Sequence, residues 1–516
     1  MLIGLDHRGL PLTPTPGRAD SAEATLAATL SYIDGIRAAL RAASGCTVIV
    51  QTVPQVATGL FGSVECGLPG TLPWLIEHLN RELRVRIANS GDLLLDTAAL
   101  AGYVGLSQWH DPVSWSLGKF AFAQSVLPLY ADWVGRLIAA ARGKSRKCLV
   151  LDLDNTLWGG VIGDDGLDGI VLGNGSPAGE AYLAVQRTAL ALRDRGIVLA
   201  ISSKNDESVA RGPFLSHPEM LLKLDHIAVF QANWQDKAAN LTAIAEALSL
   251  GTDSLVLLDD NPAERAQVRT ALPEVAVPEL PADPALYSDT LLAAGYFESI
   301  GFTAEDWRRA EQYQANAARA ELRHGASDLQ SYLQSLQMRA VFAPFDRMGR
   351  TRITQLINKT NQFNLTTRRY SESEIEAFET SRSGLAVQVR LVDRFGDAGI
   401  ISVVICRQCQ DDWMIDTWLM SCRVLNRLVE HATLNYLVRR AGAAGVHSLI
   451  GEYVETDRNG MVKDHYARLG FEALDARQDR TRWQLQIASY GPRPLPMETV
   501  EVNSTVETME ESLISA

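Results

Sequence analysis

The stretch KCLVLDLDNTLWGGVIG, Lys147 to Gly163, decides how the rest of the chain is read. Cys148, Leu149, Val150 and Leu151 form an apolar run of the kind found in a strand buried on both faces. It runs into Asp152-Leu153-Asp154-Asn155-Thr156, which puts two carboxylates two residues apart at a strand's carboxyl end. In open α/β sheets that edge is where ligands bind. Two acids so spaced suit a hard cation such as Mg²⁺, one carboxylate attacking phosphorus while its neighbour handles the proton. For D-x-D alone, an acidic loop after a strand is the plainer alternative.

Downstream the pattern repeats. Ile197 to Ile201 reads as a second buried strand and ends in Ser202-Ser203-Lys204-Asn205. A hydroxyl there suits a transferring phosphoryl oxygen, or equally a helix N-cap. Lys237 opens the predicted helix Asp236 to Leu248, either as a counter-charge for a phosphoryl group or as an ordinary surface lysine. Leu255 to Leu258 is a third buried strand, running into Asp259-Asp260-Asn261-Pro262.

DxDxT after a buried strand resembles the first motif of the haloacid-dehalogenase (HAD) phosphohydrolases. The fuller string KCLVLDLDNTLWGGVIGDDG is similar to the FkbH-like subfamily, and the resemblance extends from Leu117 to Leu485. It implies a HAD-like (Rossmannoid) parallel-sheet domain with Mg²⁺ as cofactor. Asp152 is then the nucleophile and Asp154 the general acid and base, with Ser203 and Lys237 holding the phosphoryl oxygens. Asp152, Asp154, Asp259 and Asp260 are the expected metal ligands, Asp260 by position and Asp259 as its support, with exchange of those two roles left open. Thr156, Trp158, Lys204 and Asn205 are expected on the substrate side. Gly159 to Gly169 would be the flap. About thirty residues separate Asn205 from Lys237, too few for a cap domain of ordinary size.

The chain of 516 residues suggests about three or four domains, and 47% hydrophobic residues suffice for buried cores. A net charge of −13 argues against general nucleic-acid binding. Met1 to Leu10 has no basic region followed by an apolar core, and no window has the ~18 apolar residues of a membrane helix. The six cysteines are scattered, and Cys406-x-x-Cys409 lacks a second ligand pair for zinc. The expectation is a reduced, cytoplasmic protein.

Before the HAD-like part, helices at Ala22–Ala43, Leu72–Arg86 and Ala98–Val104 alternate with strands at Thr47–Val53 and Leu93–Leu95, which predicts a small N-terminal α/β domain over 1–115. FkbH-like proteins often carry a domain resembling a reduced SGNH hydrolase here. Gly62-Ser63 lacks a preceding strand and His110-Asp111 is a lone pairing, so docking or scaffolding is the expected role. The HAD-like domain spans 116–300, and a helical linker 301–337.

From Met338 the predicted order is β-α-β-β-β-α-β-α-β to residue 490, which resembles a GNAT acyltransferase domain, YARLGFE included. An acidic, disordered tail is expected over 491–516. WLMSCRVL, Trp418 to Leu425, matches the FkbH-like string, with a helix expected from Arg423 to Arg440. A thiol at a strand-to-helix junction beside Arg423 gains thiolate character from helix N–H groups and the cation. Cys422 is therefore either an acyl-carrying nucleophile, with Arg423 as a substrate contact, or a small buried residue. The family usually has Gly-Arg-Gly next, whereas this chain has Asn426-Arg427-Leu428, which argues against tight CoA binding at this junction. His431 and His465 read as structural, with a role as base left open.

The resemblance implies a bifunctional enzyme that converts 1,3-bisphosphoglycerate into a glyceryl thioester on a phosphopantetheinylated acyl carrier protein for polyketide-type biosynthesis. Two alternatives stand beside it: a phosphatase fused to an acyl-CoA-dependent N-acyltransferase, and a phosphatase with a non-catalytic, carrier-recruiting GNAT-like module.

Overall fold

Short apolar runs near the start of the chain pair in parallel: Leu2–Ile3 (β1), Ile49–Gln51 (β2) and Leu93–Leu95 (β3), in the order β1-β2-β3. Helices Ala19–Ser44 (α1) and Leu72–Ala88 (α2) cover them. Leu26, Leu30 and Ile33 of α1 meet Leu75, Leu79 and Leu83 of α2, the three-to-four spacing of an amphipathic stripe. Asp111 accepts hydrogen bonds from the Val113 and Ser114 N–H groups, and His110 Nε2 bonds the Gln55 carbonyl. The pair is a helix cap and a tether.

This computed structural model describes every residue except 57, 89, 249, 303–306, 308–312, 316–318, 320–321, 324–327, 361, 381–383, 422–423, 457–458, 478–479 and 503–516. Two compact units divide the chain, Met1–Gln314 and Ala315–Ala516. Among the described residues no helix is long and apolar enough to cross a membrane.

The rest of the first unit is built on a parallel sheet of order β6-β5-β4-β7, from Cys148–Leu151 (β4), Val198–Ser203 (β5), Val229–Ala232 (β6) and Leu255–Leu258 (β7). β4 and β7 are buried along their whole length, as their uninterrupted apolar runs require. β6 has no such run. It is a half-exposed edge strand, and its sequence, VFQA, gives no period to read. Helix Pro177–Asp194 (α3) connects β4 to β5 and Lys237–Leu248 (α4) connects β6 to β7, while Pro262–Ala271 (α5) follows β7. The Pro- and Ala-rich stretch 273–284 folds back onto this sheet: Ala276 bridges to Val256, and Leu280 enters the core beside Tyr287 and Leu291.

The second unit is an eight-stranded sheet, β13-β14-β12-β11-β10-β9-β8-β15. Its elements are Met338–Pro344 (β8), Arg350–Lys359 (α6), Glu372–Thr380 (α7), Gly384–Asp393 (β9), Gly396–Cys409 (β10), Asp412–Met420 (β11), Val429–Ala443 (α8), Ser448–Val454 (β12), His465–Arg468 (α9), Glu472–Arg477 (β13), Arg480–Gln486 (β14) and Met497–Glu501 (β15). The expected order is present, with α7, β13 and β15 added. Of the helical linker expected over 301–337, Leu329–Ser335 is helix, and most of 303–327 lies outside the described residues.

Two expectations are corrected. The tail does not become irregular at 491: Met497–Glu501 pairs in parallel with Met338–Phe342, and Val502 N–H donates to the Phe342 carbonyl. Without it β8 would be an open sheet edge, so the need to cover backbone groups outweighs the acidic composition. A chain truncated after Tyr490 should therefore unfold at lower temperature than the full chain, by several degrees in a thermal melt, and an unchanged midpoint would reduce β15 to an ornament. The second correction concerns α8, which begins at Val429 and not at Arg423. Asn426 and Leu428 before it have φ of +63° and +62°, the left-handed region that glycine accepts freely and leucine does not. The glycines usual in the family at these positions match that backbone.

Candidate active site at the edge of the parallel sheet

The first site residue follows from the strand. With β4 hydrogen-bonded on both sides, its next residue, Asp152, is delivered to the sheet edge, where its N–H donates to the Leu258 carbonyl at 2.9 Å. Leu258 ends the neighbouring β7, so Asp259 and Asp260 arrive beside Asp152. Lys237, from the first turn of α4, reaches into the same space with only 2% of its surface exposed. Its ammonium donates to Asp152 Oδ1 at 2.5 Å and to the Ser202 carbonyl at 2.6 Å, and lies 3.0 Å from Asp259 Oδ2 without hydrogen-bond geometry.

One ammonium thus faces three carboxylates. Oxygens of Asp152, Asp259 and Asp260 all lie within 4.8 Å of one another. Asp259 is fully buried, and its Oδ2 has no hydrogen-bond partner. Burial pushes the Asp152 carboxyl up to about 7, with Asp259 and Asp260 adding to the rise and Lys237 opposing it. Asp260 is raised for the same reasons, burial first and Asp259 second. Burial alone would lower Lys237, but the two carboxylates it touches outweigh this and raise it. Crowded hard oxygens from three carboxylates that share one ammonium fit a divalent cation of the Mg²⁺ class.

Asp154 is held by a separate set of partners. Its Oδ1 accepts from Trp158 Nε1 and the Ile162 N–H, both at 2.9 Å, and its Oδ2 accepts from Asn205 Nδ2 at 2.8 Å. Its side chain is therefore not among the converging oxygens, in contrast to the expected four-carboxylate set. Asn155 at φ +54° makes the turn that permits this, and its Oδ1 accepts from the Gly160 N–H. Asn205 also donates to Ser203 Oγ at 3.0 Å, so the second strand end is tied to the first.

Thr156 and Trp158, expected to face substrate, are both fully buried. Thr156 Oγ1 accepts from the Asp260 N–H at 3.2 Å. Trp158 holds Asp154. Lys204 pairs with Glu264 at 2.6 Å, away from the cluster. Sequence reading missed Arg265, which is 3% exposed and donates to the carbonyls of Asp259 (3.0 Å) and Asp260 (2.6 Å), fixing that strand end. A helical arginine ordinarily reads as solvent-facing, so only its place one turn after Asp259-Asp260 carried a signal. Trp158→Phe keeps the ring but deletes the donor to Asp154. Phosphatase turnover should fall about tenfold with stability altered by no more than ~1 kcal/mol, measured as kcat and a denaturation midpoint.

Of the site residues expected in the second unit, Cys422 and Arg423 lie outside the described residues. His465 is buried with its ring edge-on to Trp418 at 4.7 Å, and burial pushes its pKa down to about 3, so it is neutral.

Among solved structures, the chain is similar to the N-terminal part of the protein BF1531 from Bacteroides fragilis, containing a phosphatase domain complexed with Mg. The two are 36% identical with a TM-score of 0.51, over 55% of this chain and 75% of that one. The chain belongs to the HAD phosphatases. The cluster of Asp152, Lys237, Asp259 and Asp260 at the sheet edge, with Asp154 beside it in sequence, is its candidate site. Further matches are the ribosomal-protein-S18-alanine N-acetyltransferase from Escherichia coli (14% identical, TM-score 0.24, 30% of this chain and 96% of that one) and the GNAT domain of S. lividans PAT (13%, 0.23, 28% and 89%). No protein-family model and no curated protein matches the sequence.

Proposed function

We propose that the chain is a bifunctional loading enzyme that makes a glyceryl thioester on an acyl carrier protein. In its second unit the Cys422 thiolate attacks the acyl carbon of 1,3-bisphosphoglycerate. A C–S bond forms, the C–O bond to the acyl phosphate breaks, and inorganic phosphate leaves. The phosphopantetheine thiol of the carrier then attacks the same carbon and releases Cys422. In the HAD site the Asp152 carboxylate attacks the remaining phosphorus, and the glyceryl oxygen leaves with a proton from Asp154. Asp154 next takes a proton from the water that hydrolyses the aspartyl phosphate. Three donors already bound to Asp154 leave its carboxylate a single fixed direction for that proton. Mg²⁺ held by Asp152, Asp259 and Asp260 would supply positive charge opposite the phosphoryl oxygens.

The observation that carries this reading is the convergence of Asp152, Lys237, Asp259 and Asp260 at one sheet edge in a chain that also bears WLMSCRVL. The test is intact mass spectrometry of a phosphopantetheinylated carrier incubated with enzyme, Mg²⁺ and 1,3-bisphosphoglycerate. A glyceryl increment is expected, with a phosphoglyceryl increment for Asp152→Asn. Cys422→Ala should abolish loading yet still release phosphate from a preformed phosphoglyceryl carrier. Loading at the normal rate by Cys422→Ala would mean direct transfer to the carrier thiol.

A further inference from the structure

In the second unit β11 and β12 pair in parallel only over Asp412–Ile415 and Ser448–Gly451, although both strands run on. Phe363–Leu365 occupies the space between them. Met420 N–H donates to the Phe363 carbonyl (3.1 Å), Leu365 N–H to the Trp418 carbonyl (3.2 Å), and Val454 N–H to the Leu365 carbonyl (2.8 Å). Arg368 and Tyr370 follow this inserted segment and lie across one face of the sheet.

That face carries two carboxylates on neighbouring strands, Asp416 on β11 (1% exposed) and Glu452 on β12 (2% exposed). Asp416 accepts from Arg407 Nε at 2.8 Å, from the Tyr370 hydroxyl at 2.5 Å and from Arg368. Arg368 also reaches Glu452 at 3.4 Å, and Arg480 (3.1 Å) and Arg482 (3.5 Å) approach Glu452 from β14. Toward β10 the same face is covered by α6 and α7, where Ile353, Ile357 and Ile375 pack on Val403, Ile405 and Leu419.

A buried carboxylate needs a partner, and one arginine for each would suffice. Among the described ion pairs, four guanidiniums meet these two carboxylates, twice the number that pairing alone requires. Asp475 stands opposite Arg482 in the β-ladder but makes no ion pair with it. The four arginine side chains remain 37–46% exposed. Each guanidinium has five N–H donors, and the contacts above engage one or two of them. Forked donors gathered along this pair of carboxylates match a phosphate dianion in charge and hydrogen-bonding geometry.

We infer that Arg368, Arg407, Arg480 and Arg482 form a binding site for a phosphate monoester dianion. The bound phosphate takes the donors that Asp416 and Glu452 leave free. The inference stands on the sheet face and not on the loading reaction, so either can fail without the other. A phosphoglyceryl compound and the phosphate of a phosphopantetheine arm share this chemistry.

Calorimetric titration of the full chain in EDTA separates this site from the sheet-edge site of the first unit, where three aspartates share one lysine and disfavour anions. The probes are 3-phosphoglycerate, 4′-phosphopantetheine and inorganic phosphate. Wild type should bind, more weakly as salt rises, and Arg480→Gln/Arg482→Gln should bind about tenfold more weakly or worse. Arg480→Lys/Arg482→Lys keeps the charge but loses the fork and should fall between. That pair carries the test if the Gln variant does not fold. Mg²⁺-dependent hydrolysis of an aryl phosphate should be unchanged in both. Tighter binding of 3-phosphoglycerate assigns the site to a phosphoglyceryl substrate, tighter phosphopantetheine to the carrier arm, and equal binding to the phosphate alone. No binding at millimolar probe, or wild-type affinity in the Gln variant, overturns the inference.

Discussion

Asp152→Asn should release phosphate from a phosphoglyceryl substrate at least about a thousandfold more slowly than wild type, because an amide oxygen is no nucleophile toward phosphorus. The fold should survive. Asn fits the same space at the end of β4, and Lys237 keeps Asp259 and the Ser202 carbonyl as partners. The substitution also takes one charge from three crowded carboxylates, so metal-free stability should hold or rise while cation affinity falls. Phosphate release and a thermal melt with and without Mg²⁺ read out both effects. Turnover within tenfold of wild type would remove Asp152 from the nucleophile's role, whatever happened to stability.

The parts of the HAD site that were legible in sequence are those a buried parallel strand forces. CLVL and LVLL can only be strands covered on both faces, and the residues after them can only fall on the carboxyl edge. That brings Asp152, Asp259 and Asp260 together before any coordinates are known. Side-chain direction was not legible. Whether Asp154 points toward the cluster or toward Trp158 and Asn205 depends on the left-handed turn at Asn155, which nothing in DLDNT specifies uniquely. Trp158 and Thr156 looked like substrate contacts because they share the motif, yet both are buried and act by holding other residues. In the second unit, alternating and continuous apolar runs carry the order of strands and helices. β15 was hidden because METVE gains its partner from a strand some 160 residues earlier, a pairing that local composition cannot reveal. The arginine cluster was hidden for the same reason, since Arg368, Arg407, and the pair Arg480 and Arg482 come from three segments far apart in sequence.

Lys237→Met should be the most destabilising single change at the HAD site, and its effect should depend on both pH and metal. The ammonium is buried and is the positive charge in contact with Asp152 and Asp259, so deleting it leaves uncompensated carboxylates at a cost of about 3–5 kcal/mol. Asp152 already lies far above the ~3.9 of an unfolded Asp, pushed up to about 7 mainly by burial, and loss of Lys237 raises it further. A carboxyl whose folded pKa exceeds its unfolded one favours the folded state while protonated. That contribution is fully present at acid pH and is lost as pH rises through the folded pKa. In EDTA the gap between variant and wild type should therefore be widest near pH 8 and should narrow near pH 5. A cation bound by Asp152, Asp259 and Asp260 replaces the missing charge, and at a hundredfold its Kd it adds about 2.7 kcal/mol to the folded state. Saturating Mg²⁺ at pH 8 should thus recover much of the lost midpoint in Lys237→Met, and more than it adds to wild type. Denaturation midpoints at the two pH values, each with EDTA and with Mg²⁺, decide the matter. A gap of the same size in all four conditions would mean that Lys237 serves packing alone and that the three aspartates do not form a cation site.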